Sequence, residues 1–188
     1  MCERYPPRNE KAHIITPPPT QPEEVERLMC EPKLRIHRFI GKTAAEGPGD
    51  SACIWVQGCH IRCRGCYVPW TWSENGGEIV DVGQIEEWIL EQEGIEGVTF
   101  LGGEPFEQAE PLTELAKRVK QHGLSVMSFT GYELAFIRRS SRQDWHDLLA
   151  QLDLLIDGPF IQEKLDTSRP SVGSSNQQYH VLTDRYQH

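Results

Sequence analysis

Three cysteines in the stretch Gly58-Cys59-His60-Ile61-Arg62-Cys63-Arg64-Gly65-Cys66-Tyr67, at a Cys-x3-Cys-x2-Cys spacing, constrain this chain more than any other feature. Thiolate is a soft donor that suits zinc and iron–sulfur clusters. A structural zinc site closes with four ligands, so Cys30, Cys53 or His60 would have to complete a zinc knuckle here. A four-iron cluster held by the three loop cysteines would instead keep one iron open to a small chelating molecule. Spacing alone leaves both readings standing.

The rest of the chain alternates strands with helices. Residues 1–33 hold many of the prolines, Pro17-Pro18-Pro19 among them, and show no sustained apolar period, so they are expected to form a flexible arm with a short helix at Glu23–Met29. Leu34–Ile40 alternates as a strand. Gly41-Lys42-Thr43 resembles the end of a phosphate-binding loop, but Ile36 stands where the first glycine is required. Gly47-Pro48-Gly49-Asp50 is turn chemistry, and Cys53–Val56 reads as a strand feeding the cysteine loop. Val82, Ile85, Trp88 and Ile89 recur at helical spacing through Gln92. Gly97–Leu101 reads as a buried strand, and a second helix carries Pro111 in its first turn, Leu112, Leu115, Ala116 and Val119 on one face, and Gly123 at its end.

Leu124–Phe129 is a further strand, Trp145, Leu148, Leu149 and Leu152 form a third apolar stripe, and Leu154–Ile156 is a buried strand. Tyr179–Leu182 is expected as an edge strand and residues 183–188 as a tail. Such alternation predicts an α/β fold with a parallel sheet and right-handed crossovers. Ligands collect at the C-terminal strand ends of such sheets, where Glu104, Thr130 and Asp157 would lie.

At 188 residues the chain is the size of one domain, placed here at residues 34–182. A net charge of −9 argues against nucleic acid as a partner. No run approaches the roughly 18 apolar residues of a membrane span, and the N-terminus lacks the apolar core of a signal peptide, so the expected location is cytoplasmic. In that compartment cysteines stay reduced and read as ligands or buried hydrophobes. Cys53 is expected in the core, and Cys2 and Cys30 outside any ligand set.

The cysteine motif resembles that of the radical S-adenosylmethionine (SAM) superfamily. Five further segments match, in order, the branch that activates glycyl radical enzymes, anaerobic ribonucleotide reductases among them. These are Glu46-Gly47-Pro48-Gly49, Gly102-Gly103-Glu104-Pro105, Phe129-Thr130-Gly131-Tyr132, Asp157-Gly158-Pro159-Phe160-Ile161-Gln162 and Gly173-Ser174-Ser175-Asn176-Gln177. Gly65, where most of the superfamily has an aromatic residue, and Tyr67 after the third cysteine fit the reductase-activating branch.

The resemblance implies a minimal partial (β/α) barrel in which Cys59, Cys63 and Cys66 hold a 4Fe-4S cluster. It implies that SAM binds the open iron and is contacted by Gly65, Tyr67, Gly102, Gly103, Glu104, Pro105, Thr130 and Asp157. The Gly102–Pro105 segment would receive the methionine amino group and Asp157 the ribose. It further implies a flavodoxin- or ferredoxin-like electron donor, reductive cleavage of SAM to a 5′-deoxyadenosyl radical, and hydrogen abstraction from a glycine of a partner enzyme. Two other readings differ in function: a small radical SAM enzyme acting on a peptide or metabolite, and a non-catalytic zinc or iron–sulfur module.

Overall fold

The computed structural model describes residues 31–186. Cys2, Cys30, the helix expected at Glu23–Met29 and all but the last three residues of the expected arm lie outside them. Seven strands form one sheet in the order β3-β1-β2-β4-β5-β6-β7. They are β1 (Lys33–Thr43), β2 (Ser51–Val56), β3 (Glu78–Asp81), β4 (Gly97–Gly102), β5 (Ser125–Phe129), β6 (Leu154–Asp157) and β7 (Gln178–Val181). Among the described residues four α-helices accompany them: α1 (Val82–Leu90), α2 (Ala109–Gln121), α3 (Leu134–Arg139) and α4 (Gln143–Leu149).

The fold is mixed α/β, and the sheet is not parallel throughout. The run β2-β4-β5-β6 is parallel, as the apolar, glycine-bounded segments predict. β1 pairs antiparallel with β2 and β3, and β7 antiparallel with β6. For β1 and β2 the reason is connection length: residues 44–50 between them are too few for a crossover and can only turn the chain back. β1 also runs longer than the alternation of Leu34–Ile40 suggests, carried past register irregularities between Ile36 and Arg38 and between Ile40 and Thr43.

The two faces of the sheet are dressed differently. Ile54, Phe100, Val126 and Leu155 join Val82, Ile85, Ile89, Leu112, Leu115 and Leu148 in the main core, so the helices back this face. Side chains alternate across a strand, and Met127, Leu154 and Ile156 form a separate small cluster with Phe129, Val172 and Tyr186 on the opposite face. Burying the Leu112, Leu115, Ala116 and Val119 stripe of α2 supplies about 1.5–3 kcal/mol for each large aliphatic side chain. The helix ends agree with the backbone dipole: Glu110 lies in the first turn of α2, Arg118 and Lys120 in its last. No helix among the described residues is long and apolar enough to cross a membrane.

Candidate metal and cofactor site

β2 delivers the chain to Gly58, whose φ of +99° turns it out of the sheet and into the cysteine loop. Backbone bonds fix the loop's two ends: Gly58 N–H donates to Thr71 O at 2.7 Å and Cys59 N–H to Trp72 O at 3.2 Å. The Gln57 amide adds bonds to Trp70 O (3.1 Å) and Ser73 O (2.6 Å). Within the loop Arg62 takes φ +50° and Gly65 φ +76°, Cys66 N–H donates to Cys63 O at 3.1 Å, and Val68 N–H points at Cys66 Sγ at 3.4 Å. All three thiols are free and partly exposed, whereas Cys53 is fully buried in β2.

A second backbone seam joins this loop to the end of β4. Gly103 N–H donates to Val56 O and Glu104 N–H to Gly58 O, both at 2.8 Å. Gly102 sits at φ +100°, and a β-carbon there would stand 2.7 Å from Trp55 Cα, so glycine is required for this approach. Glu104 is 1 % exposed. One of its oxygens accepts Phe106 N–H (3.0 Å) and the Thr130 hydroxyl (2.8 Å), and the other accepts Gly131 N–H (2.8 Å). Burial pushes its carboxyl up to about 7, while these three donors pull the other way. The ends of β2, β4 and β5 are thereby bound into one unit.

These elements enclose a cavity of about 340 Å³. Cys59, Cys63, Cys66, Tyr67, Gly102, Gly103, Glu104 and Thr130 all line it. Its floor is the sheet face without helices, since Trp55, Leu101 and Phe129 alternate with the core residues Ile54, Phe100 and Val126. Phe160, Gly173 and Gln177 form a wall from the segments after β6. That wall is itself cross-linked: Gln177 Oε1 accepts the N–H groups of Gly173 (2.8 Å) and Ser174 (3.1 Å), its amide donates to Gly158 O (3.1 Å), and Asn176 donates to Pro159 O (2.8 Å). Tyr67 packs on Phe160 with ring centroids 5.1 Å apart.

Three expected site residues fall elsewhere. Gly65 shapes the loop against the Gln162 side chain, and Pro105 is buried at the start of a 3₁₀ turn, Pro105–Gln108; neither lines the cavity. Asp157 does not face it either. Its carboxylate accepts Leu134 N–H at 2.6 Å and lies 3.0 Å from His180 Nε2, beside a neighbouring cavity of about 440 Å³. A carboxylate committed to the first amide of α3 acts as a cap, the part aspartate often plays before a Gly-Pro turn. Gly158, the next residue, is what reaches the cysteine cavity. Trp72 is a wall of that cavity, while Trp70 is 59 % exposed and does not line it. Glu46 and Ile61 also line it, and no periodicity or motif role points to Ile61.

The residues fit an iron–sulfur group. Burial and the carboxylates of Glu104 and Glu107 push Cys59 up to about 11, and burial raises Cys63 with the Cys66 thiol adding to it. These groups are therefore thiols until a metal displaces their protons. Trp72 buries an indole N–H that no protein acceptor meets, a donor suited to an electron-rich sulfur or carboxylate inside the cavity. Among the described residues no group of three or more Cys, His, Asp or Glu side chains is gathered to hold a single metal ion. A cluster places each thiolate on a different iron.

Comparison with known proteins agrees with this chemistry. A family model described as a 4Fe-4S single cluster domain matches residues 45–180. Proteins named anaerobic ribonucleoside-triphosphate reductase-activating protein are similar over most of the chain. That of Vibrio cholerae is 30 % identical over 161 residues, covering 80 % of this chain and 99 % of the relative. That of Haemophilus influenzae is 32 % identical, covering 71 % and 89 %. That of Escherichia coli K12 is 27 % identical, covering 79 % and 99 %.

Proposed function

From the premise that this chain belongs to the 4Fe-4S single cluster domain family that includes the anaerobic ribonucleoside-triphosphate reductase-activating proteins, we propose that it is a radical SAM activase. Its protein substrate on this reading is a glycyl radical enzyme of the anaerobic ribonucleotide reductase kind. The supporting observation is one cavity that gathers Cys59, Cys63 and Cys66 with the Gly102-Gly103-Glu104 strand end. The sheet is then a minimal partial (β/α) barrel with its helix-free face turned toward the cofactors.

Cys59, Cys63 and Cys66 would hold the cluster, and the Gly102–Glu104 segment would receive the amino group of SAM. When bound, the cluster would supply one electron for reductive cleavage of SAM, the chemistry by which a hydrogen atom would be taken from a glycine of the partner. The chain's own part is to bind, orient and exclude water. Glu104 locks the β4 and β5 ends together through Thr130 and Gly131. Trp55, Leu101 and Phe129 keep the floor apolar, and Phe160 packed on Tyr67 forms an aromatic part of the wall. A flavodoxin- or ferredoxin-like protein is the expected electron donor.

The test is anaerobic reconstitution followed by SAM and dithionite. About four irons per chain and release of 5′-deoxyadenosine with methionine are expected, and a glycyl radical signal should follow once an anaerobic reductase is added. A colourless zinc-loaded protein would sink the reading. Turnover of SAM with no radical on the reductase would leave an enzyme of a different substrate.

A further inference from the structure

The 3₁₀ turn Pro105–Gln108 sends polar side chains to separate parts of the site. Glu104, its N-cap, reaches the end of β5. Gln108 holds β1 and the end of β2, accepting Arg35 N–H (2.8 Å) and donating to Arg35 O (2.8 Å) and Gln57 O (2.9 Å). Between them Glu107 turns toward the cysteine loop. One of its oxygens accepts the His60 backbone N–H at 2.9 Å and the Tyr132 hydroxyl at 3.3 Å, and the other lies 2.8 Å from His60 Nδ1. The far side of the same imidazole pairs with Glu74. The Glu107 side chain is only 12 % exposed although it belongs to no part of the apolar core.

We propose that Glu107 is a positioning residue for the metal centre: by holding the main chain at His60 it fixes where the neighbouring Cys59 presents its sulfur. The cysteine loop is anchored by backbone bonds at Gly58 and Cys59 and is irregular beyond them. Glu107 is the side chain that extends this anchoring past the first thiol. Ligand-orienting partners of this kind govern how firmly a metal is held. Reach matters more than charge here, because the bond that fixes the loop goes to a neutral amide.

The inference rests on the cluster-binding reading of the cavity, and the experiment separates the two. Wild type, Glu107→Gln, Glu107→Asp and Glu107→Ala are reconstituted anaerobically, and iron release to a chelator is timed, with circular dichroism of each to confirm folding. Gln keeps the acceptor at full length and should release iron within about twofold of wild type. Asp keeps the charge but withdraws it by one methylene, and Ala removes it; both should release iron about tenfold faster. The reduced wild-type and Gln proteins should share one paramagnetic spectrum, with a heterogeneous one in Asp and Ala. If Ala fails to fold, the Asp and Gln contrast still decides. Release from Asp at the wild-type rate, or from Gln at the Ala rate, would overturn the proposal while leaving the cluster reading intact. A wild type that takes up no iron would remove both.

Discussion

Gly103 is pressed so closely against Gly58 that a β-carbon at residue 103 would overlap the Gly58 carbonyl oxygen, with the Val56 carbonyl a further 3.0 Å neighbour. Both obstacles are backbone, so neither can swing aside. Gly103→Ala should break the seam between the cysteine loop and β4, costing about 2–4 kcal/mol in urea unfolding. Gly123→Ala is the control: its φ is +78° but no atom lies within 4 Å of the added carbon, so only the conformational cost of about 1 kcal/mol should appear.

Cysteine substitutions should divide by place in the fold. Cys63→Ala is expected to abolish iron retention after reconstitution, because Cys63 lines the cavity. Cys53 is fully buried in the core and does not line the cavity, its thiol directed at Ser51 O. Cys53→Ala should keep its iron and lose about 1 kcal/mol of stability. Equal iron loss in the two variants would contradict the ligand assignment.

Iron uptake should quicken as pH rises. Cys59 is held up to about 11 and Cys63 is raised as well, so each thiolate must be made at the cost of a proton released to solvent. Between pH 7 and 9 the reconstitution rate should climb about tenfold per pH unit while one deprotonation limits it. A flat profile would mean the thiols are already ionised.

Glu104 makes the apoprotein's stability depend on pH in a defined direction. Its native pKa, about 7, lies above the ordinary 4.5, so the folded state binds the extra proton between these values. The stabilisation from that proton is complete below pH 4.5 and is lost as pH rises through 7, on the order of 3 kcal/mol in all. Urea unfolding of wild type and Glu104→Gln from pH 5 to 8 should show this decline in the wild type alone.

On the proposed reading, Asp157→Asn should act on the fold and leave SAM binding in place. Its carboxylate serves Leu134 N–H and His180, so the expected result is about 1–3 kcal/mol of lost stability with SAM affinity unchanged within about twofold. A large loss of SAM affinity in a stable variant would restore the ribose contact that the resemblance implies.

Much of this architecture was readable from residue order. The apolar runs ending at Leu101, Phe129 and Ile156 gave the parallel strands, and the stripes of α1 and α2 gave their buried faces, because burial periodicity is written locally. β3 was not legible, since Glu78–Asp81 is a mostly exposed edge segment whose strand character comes from pairing with Lys33–Ile36. Arg138 and Arg139 mark the end of α3, but its six residues are too few to show a helical period, so its start is not legible. The cysteines and the Gly102–Glu104 end were found through spacing and resemblance. Asp157 shows the limit: being at a strand's C-terminal end says where the backbone stops, and only tertiary contacts decide which way a side chain leaves it. Glu107 and Gln108 had no sequence signal, since their partners lie 47 and 73 residues away.

Among the described residues, helices back one face of the sheet and irregular chain covers only part of the other. On the proposed reading, a short-lived oxidant generated above that uncovered floor would have little protection from solvent in the isolated protein. A substrate protein docked over the opening would supply shelter that the described residues do not, and would then be a structural component of the reaction chamber. Turnover without it should be slow and wasteful.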